Sequence, residues 1–221
     1  MKREILITSD GSTTIQLPDW NEQYHSKHGA IQEAFHVFID SGLRQFQPND
    51  KLSILEVGFG TGLNAFITYL EAEKLKQLID YVGVEAYPVE SKEVVKLNYV
   101  TELNAEKENK IFEKLHSLSW EEKHQVSKTF SITKRQQFFD DIIDDNVFDL
   151  VYFDAFGARV QPELWTPEMF KKMYKSLKAE GVLVTYSAKG SVRRAMEEVG
   201  FTVERLPGPP GKREMLRATK D

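Results

Sequence analysis

Ile54-Leu55-Glu56-Val57-Gly58-Phe59-Gly60-Thr61-Gly62-Leu63-Asn64 decides the reading of this chain. Residues 54–57 form a short apolar run broken only by Glu56, the profile of a buried strand, and helical spacing follows from Leu63 to about Lys74. Glycines at alternate positions between a strand and a helix let the backbone bend sharply and approach a ligand, with free helix N–H groups beyond. Outward from this turn the chain alternates. Strands are expected over 81–85, 130–133, 148–153, 181–186, 201–205 and 214–218, and helices over 90–97, 167–177 and 192–199. Such alternation predicts a parallel sheet covered on both faces. Only the loop Pro207-Gly208-Pro209-Pro210-Gly211 joins the last two strands, which places one antiparallel strand in that sheet. The expected fold is therefore Rossmann-like α/β, with seven mostly parallel strands.

Before this body, residues 5–17 read as two strands joined at the Asp10-Gly11 turn, and 29–39 has helical spacing. We expect residues 1–45 to form a hairpin-and-helix extension packed on a catalytic domain over 46–221. Residues 101–125 are polar and helix-prone, with Trp120 among them, and no single element accounts for them.

The 221-residue chain can bury a real core, and its 41% hydrophobic and 29% charged residues are ordinary for a globular protein. It contains no run long enough to span a membrane, and the apolar part of its N-terminus is too short for a signal peptide. A soluble, cytoplasmic protein is the expectation. The absence of cysteine excludes disulfides, thiolate metal sites and cysteine nucleophiles. His25, His28 and His36 do not fall on one face of a helix or hairpin, so no metal site is expected. A net charge of −5 argues against a globally positive field for nucleic acid but leaves room for local basic patches. Arg193-Arg194 and Lys212-Arg213 are the candidates, against the plainer reading of solvated surface charge.

The glycine spacing discriminates between ligands. Dinucleotide sites use G-x-G-x-x-G under a pyrophosphate. Here the pattern is Glu56-x-Gly58-x-Gly60-x-Gly62, that of S-adenosylmethionine sites, in which Glu56 faces the methionine end of the cofactor. Glu85 ends the next strand at nearly the spacing where an acid accepts hydrogen bonds from ribose hydroxyls. Asp154 follows the strand over 148–153 and so points to the same crevice, outside the carboxyl ends of the strands. A carboxylate there can hold an amine and accept its proton, because an ammonium has no lone pair with which to attack. The region after the third strand, Ile132-Thr133-Lys134-Arg135-Gln136, lacks the acid that many methyltransferases use on adenine. A backbone amide or Gln136 is expected to replace it.

Two sets of strings carry a more specific resemblance. The first is Tyr24-His25-Ser26-x-x-Gly29-Ala30, Glu33-x-x-His36-Val37-Phe38 and the glycine turn continued into Leu63-Asn64. The second is Phe153-Asp154-Ala155-Phe156, Pro162-Glu163-Leu164-Trp165-Thr166 and Lys212-Arg213-Glu214-Met215-Leu216. From about Tyr24 to Leu216 the chain resembles the methyltransferase domain of the bacterial tRNA-modification enzyme MnmC. The resemblance implies a class I S-adenosylmethionine-dependent fold and transfer of methyl to the primary amine of 5-aminomethyl-2-thiouridine at the tRNA wobble position. It implies tRNA, at its anticodon region, as partner. Bifunctional members add a flavin-dependent oxidase domain, for which 221 residues leave no room, so the stand-alone form is expected without flavin. By the same resemblance Gly58, Gly60, Gly62, Glu56, Asn64 and Glu85 hold the cofactor and Asp154 is catalytic. Tyr24 and Phe156 wall the substrate pocket, and Lys212, Arg213 and Glu214 border its entrance. The alternative is a methyl- or aminopropyltransferase acting on a small-molecule amine, since one carboxylate does not identify the amine's parent.

Overall fold

The computed structural model describes residues 2–221. Its main sheet has eight strands: β4 (Lys51–Val57), β5 (Leu78–Val84), β6 (Lys123–Gln125), β7 (Phe130–Arg135), β8 (Phe148–Phe153), β9 (Leu177–Thr185), β10 (Phe201–Pro207) and β11 (Glu214–Lys220). They lie in the order β10-β11-β9-β8-β4-β5-β7-β6. All seven strands read from the sequence are present. The eighth, β6, is a three-residue antiparallel edge strand, too short to show a period of its own. The sheet thus has two antiparallel strands, β6 and β11, where one was expected. β11 lies between β10 and β9 and runs against both.

β4 and β8 are wholly buried in their last four residues, as central parallel strands must be when helices cover both faces. On one face Tyr81, Phe130 and Tyr152 of the strands cluster with Phe66 of α2 (Leu63–Leu75) and Phe112 of α5 (Asn109–Ser117). On the other, Phe153 and Leu183 of the strands cluster with Phe170 and Met173 of α6 (Pro167–Ser176) and Met196 of α7 (Gly190–Glu198). Pro167 opens α6 at a position whose N–H has no helical partner, and Thr166 caps it. The stretch over 101–125 resolves into the end of the one-turn helix α4 (Tyr99–Glu102), a 3-10 turn, α5 and β6. The helix expected over 90–97 shortens to the single turn α3 (Ser91–Val94).

Before the main sheet, β1 (Glu4–Ile7), β2 (Thr13–Leu17) and β3 (Glu22–Gln23) form a small antiparallel sheet. Asp10 shapes its first turn by accepting hydrogen bonds from Thr8 Oγ1 and the Ser12 N–H. α1 (Ala30–Ala34) then runs into a π-helical turn over Phe35–Asp40. Arg3, just before β1, ties the small sheet to the segment that follows β5, donating to the carbonyls of Tyr87 (2.8 Å) and Pro88 (3.2 Å) and pairing with Glu93. None of the described helices is long and apolar enough to cross a membrane.

Candidate active site

β4 connects forward to β5 on one side and lies against β8 on the other, so the strand order reverses beside β4. In open α/β sheets ligands bind at such a switch point, outside the carboxyl ends of the strands. A cavity of about 1240 Å³ lies there, between the main sheet and the small N-terminal one. Gly58 and Gly60 of the glycine turn line it, whereas Gly62 lies outside the lining, against His116 and Phe59. Gly58, Gly60 and Gly62 all have positive φ, at 100°, 50° and 71°. The Gly58 and Phe59 N–H groups both donate to the Val84 carbonyl at 3.0 Å, which fixes the turn against β5.

Glu85 and Asp154 both line the cavity, at the ends of β5 and β8. Glu85 Oε2 accepts from the Gly60 N–H (3.0 Å) and Oε1 from the Tyr87 N–H (2.9 Å), so one carboxylate sets two turns and keeps lone pairs toward the cavity. Asp154 Oδ2 accepts from Asn64 Nδ2 at 2.8 Å, the only side-chain donor to it among the described residues. Burial pushes the Asp154 carboxyl up to about 7, reinforced by the negative charge of Glu33 and opposed by Asn64 and Lys212. Glu56 lies deeper. It is fully buried, does not line the cavity, and faces Tyr81 and Asn64 without closing a hydrogen bond to either. Burial holds its carboxyl well above the ordinary range.

Tyr24 and Phe156 both line the cavity and meet edge to face at 5.0 Å, and Trp20 also meets Phe156 edge to face, at 5.9 Å. Lys212, Arg213 and Glu214 do not line it. Lys212 pairs with Glu33 and sits over the Tyr186 ring, Arg213 is exposed on the β10–β11 loop, and Glu214 faces Arg205 at 3.9 Å. The three histidines are kept apart in role. His25 is buried between Thr14 and Thr61, His28 lies against Gly211, and His36 Nε2 meets the Pro207 carbonyl at 2.7 Å.

Some cavity residues escaped the sequence reading. Phe138, and Asp140 and Asp141 of the 3-10 turn that follows it beyond β7, line the cavity, so acids do follow the third strand, a few residues later than Gln136. Their signal is the Phe138-Phe139-Asp140-Asp141 string, which carries no strand or helix period. His25, which lines the cavity, bridges the N-terminal sheet to the glycine turn, and Glu33 reaches Asp154 by its charge from α1. Neither was given a site role by local pattern.

The residues present suit S-adenosylmethionine. A β-carbon on Gly58 would lie 2.7 Å from the Asp154 carbonyl oxygen, so the backbone approaches there as only glycine permits. Beside that cradle the carboxylates of Glu85 and Asp154 offer acceptors to hydroxyl and cationic groups, and the buried Glu56 carboxyl lacks a partner below. Replacing Glu85 with alanine is expected to weaken cofactor affinity about 10- to 100-fold, the worth of a charge-assisted hydrogen bond. Titration calorimetry reads it, and unchanged affinity would remove Glu85 from the site.

Residues 106–221 match the family described as S-adenosyl-L-methionine-dependent methyltransferase, and the chain belongs to that family. Fold and cofactor are thereby fixed as those of a methyltransferase. Among curated proteins it is similar to the tRNA 5-methylaminomethyl-2-thiouridine biosynthesis bifunctional protein MnmC of Hydrogenovibrio crunogenus, 26% identical over 97% of this chain and 33% of the relative. The protein of the same name from Paracidovorax citrulli is 30% identical over 92% of this chain and 33% of the relative. The chain thus spans about a third of the length of these relatives. In fold it is similar to MnmC2 of Aquifex aeolicus, with a TM-score of 0.82 and 24% identity over all of this chain and 70% of that one.

Proposed function

We propose that the chain methylates the primary amine of 5-aminomethyl-2-thiouridine at the tRNA wobble position, giving 5-methylaminomethyl-2-thiouridine, in the cytoplasm. The observation that carries the chemistry is Asp154, anchored through one oxygen by Asn64 in the cavity lining beside the glycine turn. The acceptor follows from the printed names of the relatives.

When bound, S-adenosylmethionine supplies a methyl group on a sulfonium. Asp154 takes one proton from the acceptor ammonium, freeing the nitrogen lone pair, and later gives that proton to solvent. Overall the acceptor ammonium exchanges one proton for one methyl; the bond that breaks is the methyl's bond to sulfur, whose electron pair would stay on sulfur as a neutral thioether. Tyr24, Trp20 and Phe156 give flat apolar walls on which a nucleobase can stack, and water excluded there strengthens the Asp154–amine contact. Glu85 would hold the ribose of the bound cofactor and Asp140 or Asp141 its adenine edge, while Asn64 orients Asp154 and the exposed Arg213 would meet backbone phosphate. Residues 1–45 act as a cover that completes the pocket over the domain beginning at 46.

A second reading has its own support. Carboxylates predominate around the cavity, with Glu90, Glu93, Asp140, Asp141 and Glu163 joining Glu85 and Asp154, and such a lining attracts a small polycationic amine more readily than a polyanion. Nucleoside mass spectrometry of tRNA from a strain lacking the gene separates the two. Accumulated 5-aminomethyl-2-thiouridine is the expected result, and its absence would transfer the assignment to a small-molecule amine.

A further inference from the structure

Glu33 and Lys212 are 179 residues apart in sequence, yet they form an ion pair, and the charges of both act on Asp154. Glu33 is nearly buried on α1. One of its oxygens accepts from the Ser26 N–H at 3.1 Å, and the other takes Lys212 Nζ. The ammonium lies 4.0 Å from the centre of the Tyr186 ring. Tyr186 in turn donates its hydroxyl to the Ala155 carbonyl at 2.8 Å, next along the chain from Asp154. The β10–β11 loop carrying Lys212 is held by His36 at the Pro207 carbonyl and by His28 against Gly211. So a chain of contacts runs from the N-terminal helix through the β10–β11 loop and Tyr186 to the carbonyl of the residue after Asp154.

Resting on the reading of Asp154 as the proton acceptor, we propose that the Glu33–Lys212 pair is a positioning device for it, fixing the Tyr186–Ala155 contact and setting where on the pH scale Asp154 is ready to accept a proton. Lys212 is thereby held by Glu33 behind the cavity lining rather than free to meet phosphate. The charged and titratable groups around Asp154 come from four directions: Glu33 on α1, Lys212 on the β10–β11 loop, Glu56 and Tyr81 below on β4 and β5, and Tyr186 beyond β9. Among them Lys212 is the cation, and its field opposes that of Glu33. A cation there also disfavours an ammonium at the acceptor position, which favours the neutral, nucleophilic amine.

The two partners therefore predict opposite effects. Glu33→Gln leaves Lys212 unopposed and is expected to move the Asp154 titration to lower pH. Lys212→Met leaves Glu33 unopposed and is expected to move it to higher pH. Each shift is expected to be about half to one pH unit, and Lys212→Arg is expected to stay near wild type. The measurement is carbon-13 NMR titration of the aspartate carboxyls in the free protein, with Asp154→Asn identifying the signal, alongside the acid limb of kcat/KM. Cofactor calorimetry on each variant confirms folding. Shifts in the same direction, or none in either variant, overturn the proposal. The free-protein titration does not depend on the acceptor, so loss of the tRNA assignment would leave it standing and the two failures stay distinguishable.

Discussion

Asp154→Asn is expected to lower turnover about 10²- to 10⁴-fold, the usual worth of a positioned general base, while leaving cofactor affinity within a few-fold. The side chain keeps its shape and can still accept from Asn64, so the cavity survives and only the proton acceptor is lost. The same substitution is expected to stabilise the protein above neutral pH. Asp154 titrates at about 7 in the folded protein against 3.8 for an ordinary aspartate. Between those values the folded chain holds a proton that the unfolded chain has released, so stability falls as pH rises through that window. Above about pH 7 the full penalty of a buried carboxylate is present, and asparagine removes it. A Tm higher by a few degrees at pH 8, with the difference fading toward pH 4, is the expected melt, at about 2–4 °C per kcal/mol for a chain of this size. Turnover within a few-fold of wild type would remove Asp154 from proton transfer. A lower Tm at pH 8 would show that its charge is stabilising.

The second large effect is expected at Gly58. Its φ of 100° is strained for any residue with a β-carbon, and that carbon would meet the Asp154 carbonyl oxygen at 2.7 Å. The turn cannot swing away without losing the two hydrogen bonds from Gly58 and Phe59 to Val84. Gly58→Ala is therefore expected to cost about 1–3 kcal/mol from backbone strain alone. The loss is compounded by displacement of the peptide carrying Asp154. Cofactor affinity should fall at least tenfold, because the lining of the cavity moves. Gly200→Ala is the control. Gly200 has a similar φ of 106°, but its β-carbon would find Tyr174 at an ordinary 3.4 Å, and it does not line the cavity. It should lower Tm while preserving cofactor affinity in calorimetry. Equal affinity losses at the two positions would mean that global destabilisation, not the turn, is being read.

Much of this molecule is written in local pattern. Buried central strands such as β8 are continuous apolar runs, and the glycines of the turn after β4 sit between such a run and a helix. A short element has no room for a period, which is why β3, with two residues, and β6, with three, went unread. The early start of β9 went unread for a related reason. Its register shifts against β8 between Phe148 and Leu150, and Glu180 has a positive φ, so the 181–186 segment alone looked like the strand. Acids beyond β7 were missed because Asp140 and Asp141 stand in a turn rather than at the strand end.

The glycine turn, the strand-end acids Glu85 and Asp154, and the alternation that makes a parallel sheet were determined by the sequence itself, because each is a spacing of residue types along one segment. Partnership was not. That Lys212 belongs to Glu33, that His25 joins the small sheet to Thr61, and that Glu56 lies beneath the cavity instead of in its wall depend on which distant segments the sheet order brings together. Hydrophobic periodicity records which face of a segment is buried, and only packing of the whole chain decides what it is buried against.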